Sequence, residues 1–493
     1  MPSSCTLGPI LGVETEDLYT ICFVTPATVD KAEIEIDQQL IEAKRVASLP
    51  CGDFCRAEYP CSIQEAGRWV SYTLRVDGAS VKGKDNKVSR SFYVPGKDEK
   101  PRMAYASCNG FSSYQLLNST EHPYAMWQKM AGEHRASPLS LLIMGGDQVY
   151  ADAIWSSVPT LAAWNELGRK EKVKRKPTKV MRQQIERFYS ELYCRRWSQI
   201  DIAVMLACVP SVMMWDDHDI FDGWGSYPAD LQECPVYQYI YQAAAKYFEW
   251  FQLRSLHNQA LLCQQDSKSH YAWGLRFRGN DVLAMDHRSQ RLRHQVMASS
   301  QWQDIIAYLD SHQQHCDLLV LSAVPVVYRD FSLSERAVDF TPWEEEITDD
   351  LKDHWRAKEH QSERSRLIMR LLDNGREREG RTVIFSGDVH VGCLGVVCDT
   401  RYEPAVSVHQ VVSSGVVHPS PTYIQWLGIQ AITNDNTEYL DENGAVRISM
   451  LKPHGGDKYL RTRNFVTIEA GTDNKLWINW VCEGKDKPVY PLV

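Results

Sequence analysis

Five segments of this 493-residue chain end a short apolar run in a side chain able to bind a metal or move a proton. Residues 103–106 lead to Cys108, 139–144 to Asp147, 209–215 to Asp217 and His218, 282–285 to Asp286, and 382–385 to Asp388 and His390. Side chains just past the carboxyl ends of strands in an open α/β sheet converge on one crevice, so these distant segments can build one site. Carboxylates, imidazoles and a thiol gathered there repel or desolvate one another unless a cation holds them. A thiolate with an imidazole suits iron or zinc, whereas a neighbouring all-oxygen set suits calcium, magnesium or manganese. Two unlike ions, about 3.5 to 4 Å apart, would clamp the attacking and leaving oxygens of a phosphoryl transfer and generate hydroxide near neutral pH. Gly145 and Gly146 before Asp147, and Gly387 before Asp388, are expected to let the backbone approach such ions.

Each of these residues also has a plainer reading. A cysteine after an apolar strand is commonly a packed thiol, and an aspartate after glycine is commonly a turn residue or a helix cap. It is the repetition of strand ends that favours a site. His409 and His418 follow the last segment and are expected at the surface rather than at its edge. The basic stretch 169–179 reads as a solvated insertion, and the acidic cluster Glu344, Glu345, Glu346, Asp349, Asp350 and Asp353 beside Trp343 and Trp355 reads as a helix start. Cys51, Cys55 and Cys61 have no partner pair at zinc-site spacing.

The elements that position the site belong to a mixed α/β architecture. Residues 1–98 read as a small β-sandwich, with strands at 18–25, 32–36 and 69–76; in the last, Val70, Tyr72, Leu74 and Val76 share one face. The polar segment 95–101, bounded by Pro95 and Pro101, links it to a second domain at 101–493. There, short apolar runs alternate with helical stretches, as in a buried sheet flanked by helices. Helices are expected at 237–253 and at 364–372, the latter stopped by Asn374-Gly375, and a hairpin at 465–481.

A chain of this length with 44% hydrophobic residues can bury a large core, and its fourteen cysteines need not act as disulfide staples. The formal net charge of −9 argues against a general nucleic-acid binder. No apolar run reaches the roughly 18 to 20 residues of a spanning helix; the longest, 202–215, suits a buried core element. The start Met-Pro-Ser-Ser-Cys lacks the basic and apolar regions of a signal peptide, so a cytoplasmic location is expected.

Four motifs in order, Gly146-Asp147-Gln148-Val149-Tyr150-Ala151-Asp152, Trp215-Asp216-Asp217-His218-Asp219, Asp286-His287-Arg288-Ser289-Gln290-Arg291 and Ser386-Gly387-Asp388-Val389-His390, resemble those of alkaline phosphatase D (PhoD-like) enzymes. These form a divergent branch of the calcineurin-like metallophosphoesterases, and the likeness covers roughly residues 101–420. The resemblance implies a metallophosphoesterase-type layered β-sheet core flanked by helices, preceded by a β-sandwich, holding iron with calcium, or zinc, manganese or magnesium. By the same resemblance Asp147 would bridge two ions, Cys108 and His390 would bind the iron-like one, and Asp217 with Asp388 the calcium-like one. Cys108, Asp217 and Asp388 stand where the wider superfamily has histidine, asparagine and histidine, which bears on metal identity more than on reaction type. His218 would assist the leaving group, and a tyrosine ligand would be Tyr193, with Tyr150 as the alternative. Arg288 and Arg291 would grip phosphate, Arg288 foremost, oriented by an ion pair with Asp286; Asp152 and Asp216 would support ligands and histidines. The implied activity is hydrolysis of a phosphate monoester or diester. The alternatives are a metallohydrolase acting on another bond, or a partner-binding protein with a vestigial metal site.

Overall fold

The computed structural model describes residues 6–265, 268–311, 315–330 and 354–493; the acidic cluster with Trp343 lies outside them. Two large sheets carry the site. The first has ten strands, and at its centre Met103–Ala106, Leu141–Gly145 and Ser211–Met214 run parallel, register Ala106↔Met144 and Gly145↔Met214. The second has nine, among them the parallel set Asn280–Ala284, Asp317–Leu321, Thr382–Ser386 and Val406–Val412. All of Leu141–Gly145 and Thr382–Ser386 is buried, which explains why they read as continuous apolar runs without alternation.

One core fills the space between these sheets, bringing Ala104 and Ile143 together with Leu319, Leu321, Val383 and Phe385. The Tyr105 and Phe385 rings lie 5.3 Å apart across it. A second core lies on the other side of the nine-stranded sheet, where helices Ser299–Asp310 and Gln361–Glu377 contribute Trp302, Ile305, Leu367, Ile368 and Leu371. The architecture is thus a layered α/β one with helices outside the sheets. The two parallel sets meet at their carboxyl ends through a parallel bridge between Ser107 and Gly415. The crevice therefore lies between two sheets, three segments coming from one and two from the other, rather than along a single open sheet.

The strands expected near the N-terminus form as Leu18–Thr25, Ala32–Ile36 and Arg68–Val76, the last with Val70, Tyr72, Leu74 and Val76 buried. They are divided between sheets. Leu7–Thr15, Leu18–Thr25, Gly52–Pro60 and Lys44–Leu49 extend the ten-stranded sheet through Gly12↔Ser211, while Ala32–Ile36 and Arg68–Val76 belong to a separate five-stranded sheet.

The apolar run 202–215 resolves into core elements, and one local expectation, the helix stop at Asn374-Gly375, is corrected. The run is two elements, helix Ile200–Cys208 and strand Ser211–Met214, divided at Pro210, which lacks the N–H that a helix interior or a ladder requires. Helix Gln361–Glu377 passes through Asn374-Gly375 instead of stopping there. Asn374 is buried and donates to the Leu309 carbonyl at 3.1 Å, and a Cβ on Gly375 would stand 3.2 Å from Val406, so this pair fits the helix to its neighbours. The C-terminal hairpin forms from Asn464–Ala470 and Leu476–Cys482.

Candidate metal centre

The strand ends that lead to Cys108, Asp147 and Asp388 deliver their side chains through tight turns. Cys108, Asp147, Tyr150, Asp388 and His390 have φ of 52°, 58°, 54°, 67° and 52°, a left-handed region that side chains other than glycine visit rarely. Such strain persists where surrounding structure over-determines it, and it collects at functional sites. Gly146, at φ 106°, lets Leu141–Gly145 turn against Asp216, whose Cβ would stand 3.0 Å from an added Cβ. Gly387 faces Ser107, where a Cβ would come within 2.4 Å of the Ser107 Cβ. These glycines therefore let protein segments approach one another closely at the two turns.

Asp147, Asp216, Asp217 and Asp388 each offer a carboxylate oxygen within 4.8 Å of the others, and Asp147, Asp217 and His218 form an overlapping group. Cys108 Sγ lies 3.6 Å from Asp147 Oδ2, and the Tyr150 hydroxyl bridges Asp147 Oδ2 at 3.5 Å and His390 Nε2 at 3.2 Å. Cys108 and Asp147 are almost wholly buried, and Asp147 Oδ1 has no hydrogen-bond partner among the described residues. Burial holds the Asp147 carboxyl well above its ordinary range; Asp216, Asp217 and Asp219 push it further, against the opposing pull of His218. Burial likewise raises the Cys108 thiol, with Asp147 and Asp388 acting in the same direction. Burial, His418 and His218 hold His390 well below its usual value, leaving the neutral imidazole that ligates metals. An orphaned buried carboxylate oxygen within a crowd of carboxylates, a thiol and a neutral imidazole is a donor set that fits cations.

His218 has a support of its own. Its Nδ1 meets both Asp152 carboxylate oxygens at 3.0 and 2.9 Å, while Asp152 also accepts from the Asp222 amide at 2.9 Å. Burial opposes a charge on His218, but Asp152, Asp217 and Asp147 outweigh it and raise the imidazole well above its ordinary value.

Arg288 is placed otherwise than expected. It is fully buried, its Nε pairs with Asp216, its guanidinium reaches Asp217 Oδ1 at 3.3 Å, and it donates to the Trp224 carbonyl at 3.0 Å. Asp286 accepts from the Arg288 backbone amide at 2.9 Å, and from the Trp215 indole at 2.9 Å and the Tyr271 amide at 2.7 Å, so it braces the loop rather than the guanidinium. Arg291 is also buried, against Gly225.

Tyr193 stands apart: its ring stacks on Phe251 at 4.6 Å and its hydroxyl accepts from Gln252 at 3.0 Å. Tyr150 is the tyrosine brought to the cluster, and its position three residues after Asp147 on the same turn was the available signal. Two further residues had not been assigned to the site. Asp219 accepts from the Gln148 and Val149 amides at 2.8 and 3.1 Å and from the Asp216 amide at 3.0 Å, tying two motifs together; burial pushes its carboxyl up to about 7. His418, expected at the surface, stacks on His390 with 3.7 Å between ring centroids. His409 lies instead near Tyr490.

The model of the PhoD related phosphatase family matches residues 88–342 and 338–453. The chain belongs to that family. The matched residues take in the parallel sets of both sheets, the strand-end turns and the Asp216-Asp217-His218 (DDH) loop, while the outer strands of the ten-stranded sheet lie outside them. The chain is also 26% identical to the uncharacterized Saccharomyces cerevisiae protein YGR266W, over 83% of this chain and 63% of that protein, so it spans less than two thirds of that relative's length. Its fold is similar to that of a solved PhoD structure, with a TM-score of 0.61 and 14% identity, covering 99% of this chain and 88% of the other. A purple acid phosphatase, PPD1 from yellow lupin seeds, shares the fold with a TM-score of 0.52 and 11% identity, covering 98% and 73%. No helix of the described residues is long and apolar enough to cross a membrane.

Proposed function

We infer that this PhoD-related chain is a metal-dependent hydrolase of phosphate esters. The observation that carries the reading is the convergence, at the meeting ends of two sheets, of four carboxylates within 4.8 Å, one with an orphaned oxygen, beside a thiol and an imidazole. Asp147 would bridge two ions, Cys108, Tyr150 and His390 would hold the softer one, and Asp217 with Asp388 the harder one. Iron or zinc suits the first set, and calcium, magnesium or manganese the second. Bound ions supply Lewis acidity toward the phosphoryl group and lower the pKa of water.

The chain's own residues do the rest. Asp152 fixes the His218 ring through Nδ1, which leaves Nε2 to give a proton to the departing oxygen. Arg288 holds Asp216 and Asp217 in place and offsets their mutual repulsion, acting as a positioning residue. Purified protein should turn over at least one of a panel of chromogenic phosphate mono- and diesters, tested with several added metals. Failure on every phosphate ester in metal-loaded protein would overturn this reading in favour of hydrolysis of another bond or of a binding role.

A further inference from the structure

The candidate ligands come from the strand-end segments, yet one imidazole from outside that series lies directly on a member of it. The His418 ring stacks on His390 with centroids 3.7 Å apart and planes 15° apart. It also lies parallel to Tyr150 at 5.5 Å and 13°, and Tyr150 in turn stacks on His218 at 4.4 Å and 24°. A run of four rings therefore joins the candidate ligand of the last motif to the candidate proton donor of the DDH motif.

His418 is held at several points. The Cys108 carbonyl accepts from the Val417 and His418 amides at 3.3 and 3.1 Å, and the Ser107 carbonyl accepts from Val416 at 2.9 Å, so the turn carrying the ring is fastened to the strand end that delivers the thiol. Its Nδ1 lies 2.9 Å from the Pro419 carbonyl, which can only accept, so the proton resides on Nδ1 and the tautomer is fixed. At Gly415 an added Cβ would come within 2.4 Å of the His418 carbonyl oxygen, so this fold-back requires glycine. A ring fastened at its backbone and at one nitrogen has little rotational freedom. A ring stacked on it at 3.7 Å must share its plane.

Metal-ligating histidines need their ring plane set by a partner, ordinarily through the second ring nitrogen, and losing such a partner costs roughly 10- to 100-fold in metal affinity. We propose that His418 is a positioning residue that sets the plane of the His390 imidazole by stacking and, through Tyr150, ties it to His218. This rests on the metal reading above. It assigns the effect to the flat ring rather than to a nitrogen of His418.

The test uses the full chain, stripped by chelator and titrated with cobalt(II) as a spectroscopic probe, comparing wild type, His418→Ala and His418→Phe. His418→Ala should weaken cobalt binding by about 10- to 100-fold and alter the visible spectrum, with the thermal midpoint little changed. His418→Phe, which keeps a flat ring without nitrogens, should bind within about threefold of wild type, a margin well inside that loss. Cobalt binding by His418→Ala that matches wild type in affinity and spectrum would overturn the proposal. So would a His418→Phe variant as impaired as His418→Ala. Should His418→Ala not fold, His418→Gln replaces it, with the same loss expected. Wild type that takes up no cobalt would instead overturn the metal reading beneath, and the two failures are distinguishable.

Discussion

Replacing Arg288 by methionine separates the two roles an arginine can play at such a centre. Methionine keeps the bulk and removes the charge. The guanidinium interacts with Asp216, with Asp217 at 3.3 Å and with the Trp224 carbonyl at 3.0 Å, all within protein, since Arg288 is fully buried. A hydrogen bond to a charged group contributes about 1.5 to 3 kcal/mol and a neutral one about 1 kcal/mol, but partial relaxation recovers some of their sum. Breaking a buried ion pair from one side costs roughly 3 to 5 kcal/mol, because the remaining charge is left without compensation. We expect Arg288→Met to lose about that much in the metal-depleted protein and less with metal bound, because added cations offset the orphaned carboxylates. Urea unfolding followed by tryptophan fluorescence, with and without saturating metal, measures both. An arginine that mainly grips substrate would behave oppositely. Unfolding within about 0.5 kcal/mol of wild type, as for a change away from structural contacts, together with a large rise in KM, would refute the positioning role.

Other expectations follow from individual contacts. His218→Asn should lower kcat by about 10²- to 10⁴-fold on alkyl phosphate esters. The loss should be much smaller on a 4-nitrophenyl ester, whose leaving group needs no proton; equal losses on both would exclude His218 as the proton donor. Gly387→Ala should destabilise the fold by about 1 to 3 kcal/mol, because its Cβ would press on Ser107, and Ser107→Gly should restore the thermal midpoint. His134 is buried, accepts from the Leu139 amide through Nδ1 at 3.0 Å, and is lowered from 6.5 to about 4 by burial, with Arg102 and Arg135 adding to it. As pH falls, the unfolded chain takes up this proton first. The stability His134 contributes is therefore complete above about pH 6.5 and lost toward pH 4, up to about 3 kcal/mol. His134→Gln should flatten the stability profile in that window, and an unchanged slope would contradict the assignment.

The strand ends were legible because buried parallel strands show as apolar runs, and each run here is followed at short range by its polar residue. Cys108, Asp147, Asp217, His218, Asp388 and His390 could be read that way. Residues whose role depends on a distant partner could not. Whether Arg288 faces substrate or carboxylates is decided by the packing of Trp224 and Asp216, which nothing within its own motif encodes. Tyr193 and Tyr150 both follow plausible patterns, and only the turn after Asp147 selects the latter. His418 carries no motif at all; its place follows from the bridge joining Ser107 to Gly415 across two sheets. The same long-range pairing explains the N-terminal strands. The alternation of Ala32–Ile36 and Arg68–Val76 was plain in the sequence, but the continuation of the ten-stranded sheet through Gly12 and Ser211 was not.

The most direct test of the central claim is elemental analysis of the purified chain, alone and as the Asp147→Asn variant, after exposure to iron, zinc, calcium, magnesium and manganese. The account predicts close to two ions per chain in the parent, about the complement of a two-metal site, and a marked loss in the variant. A parent that cannot be loaded, or a variant that keeps its full metal content, would contradict it.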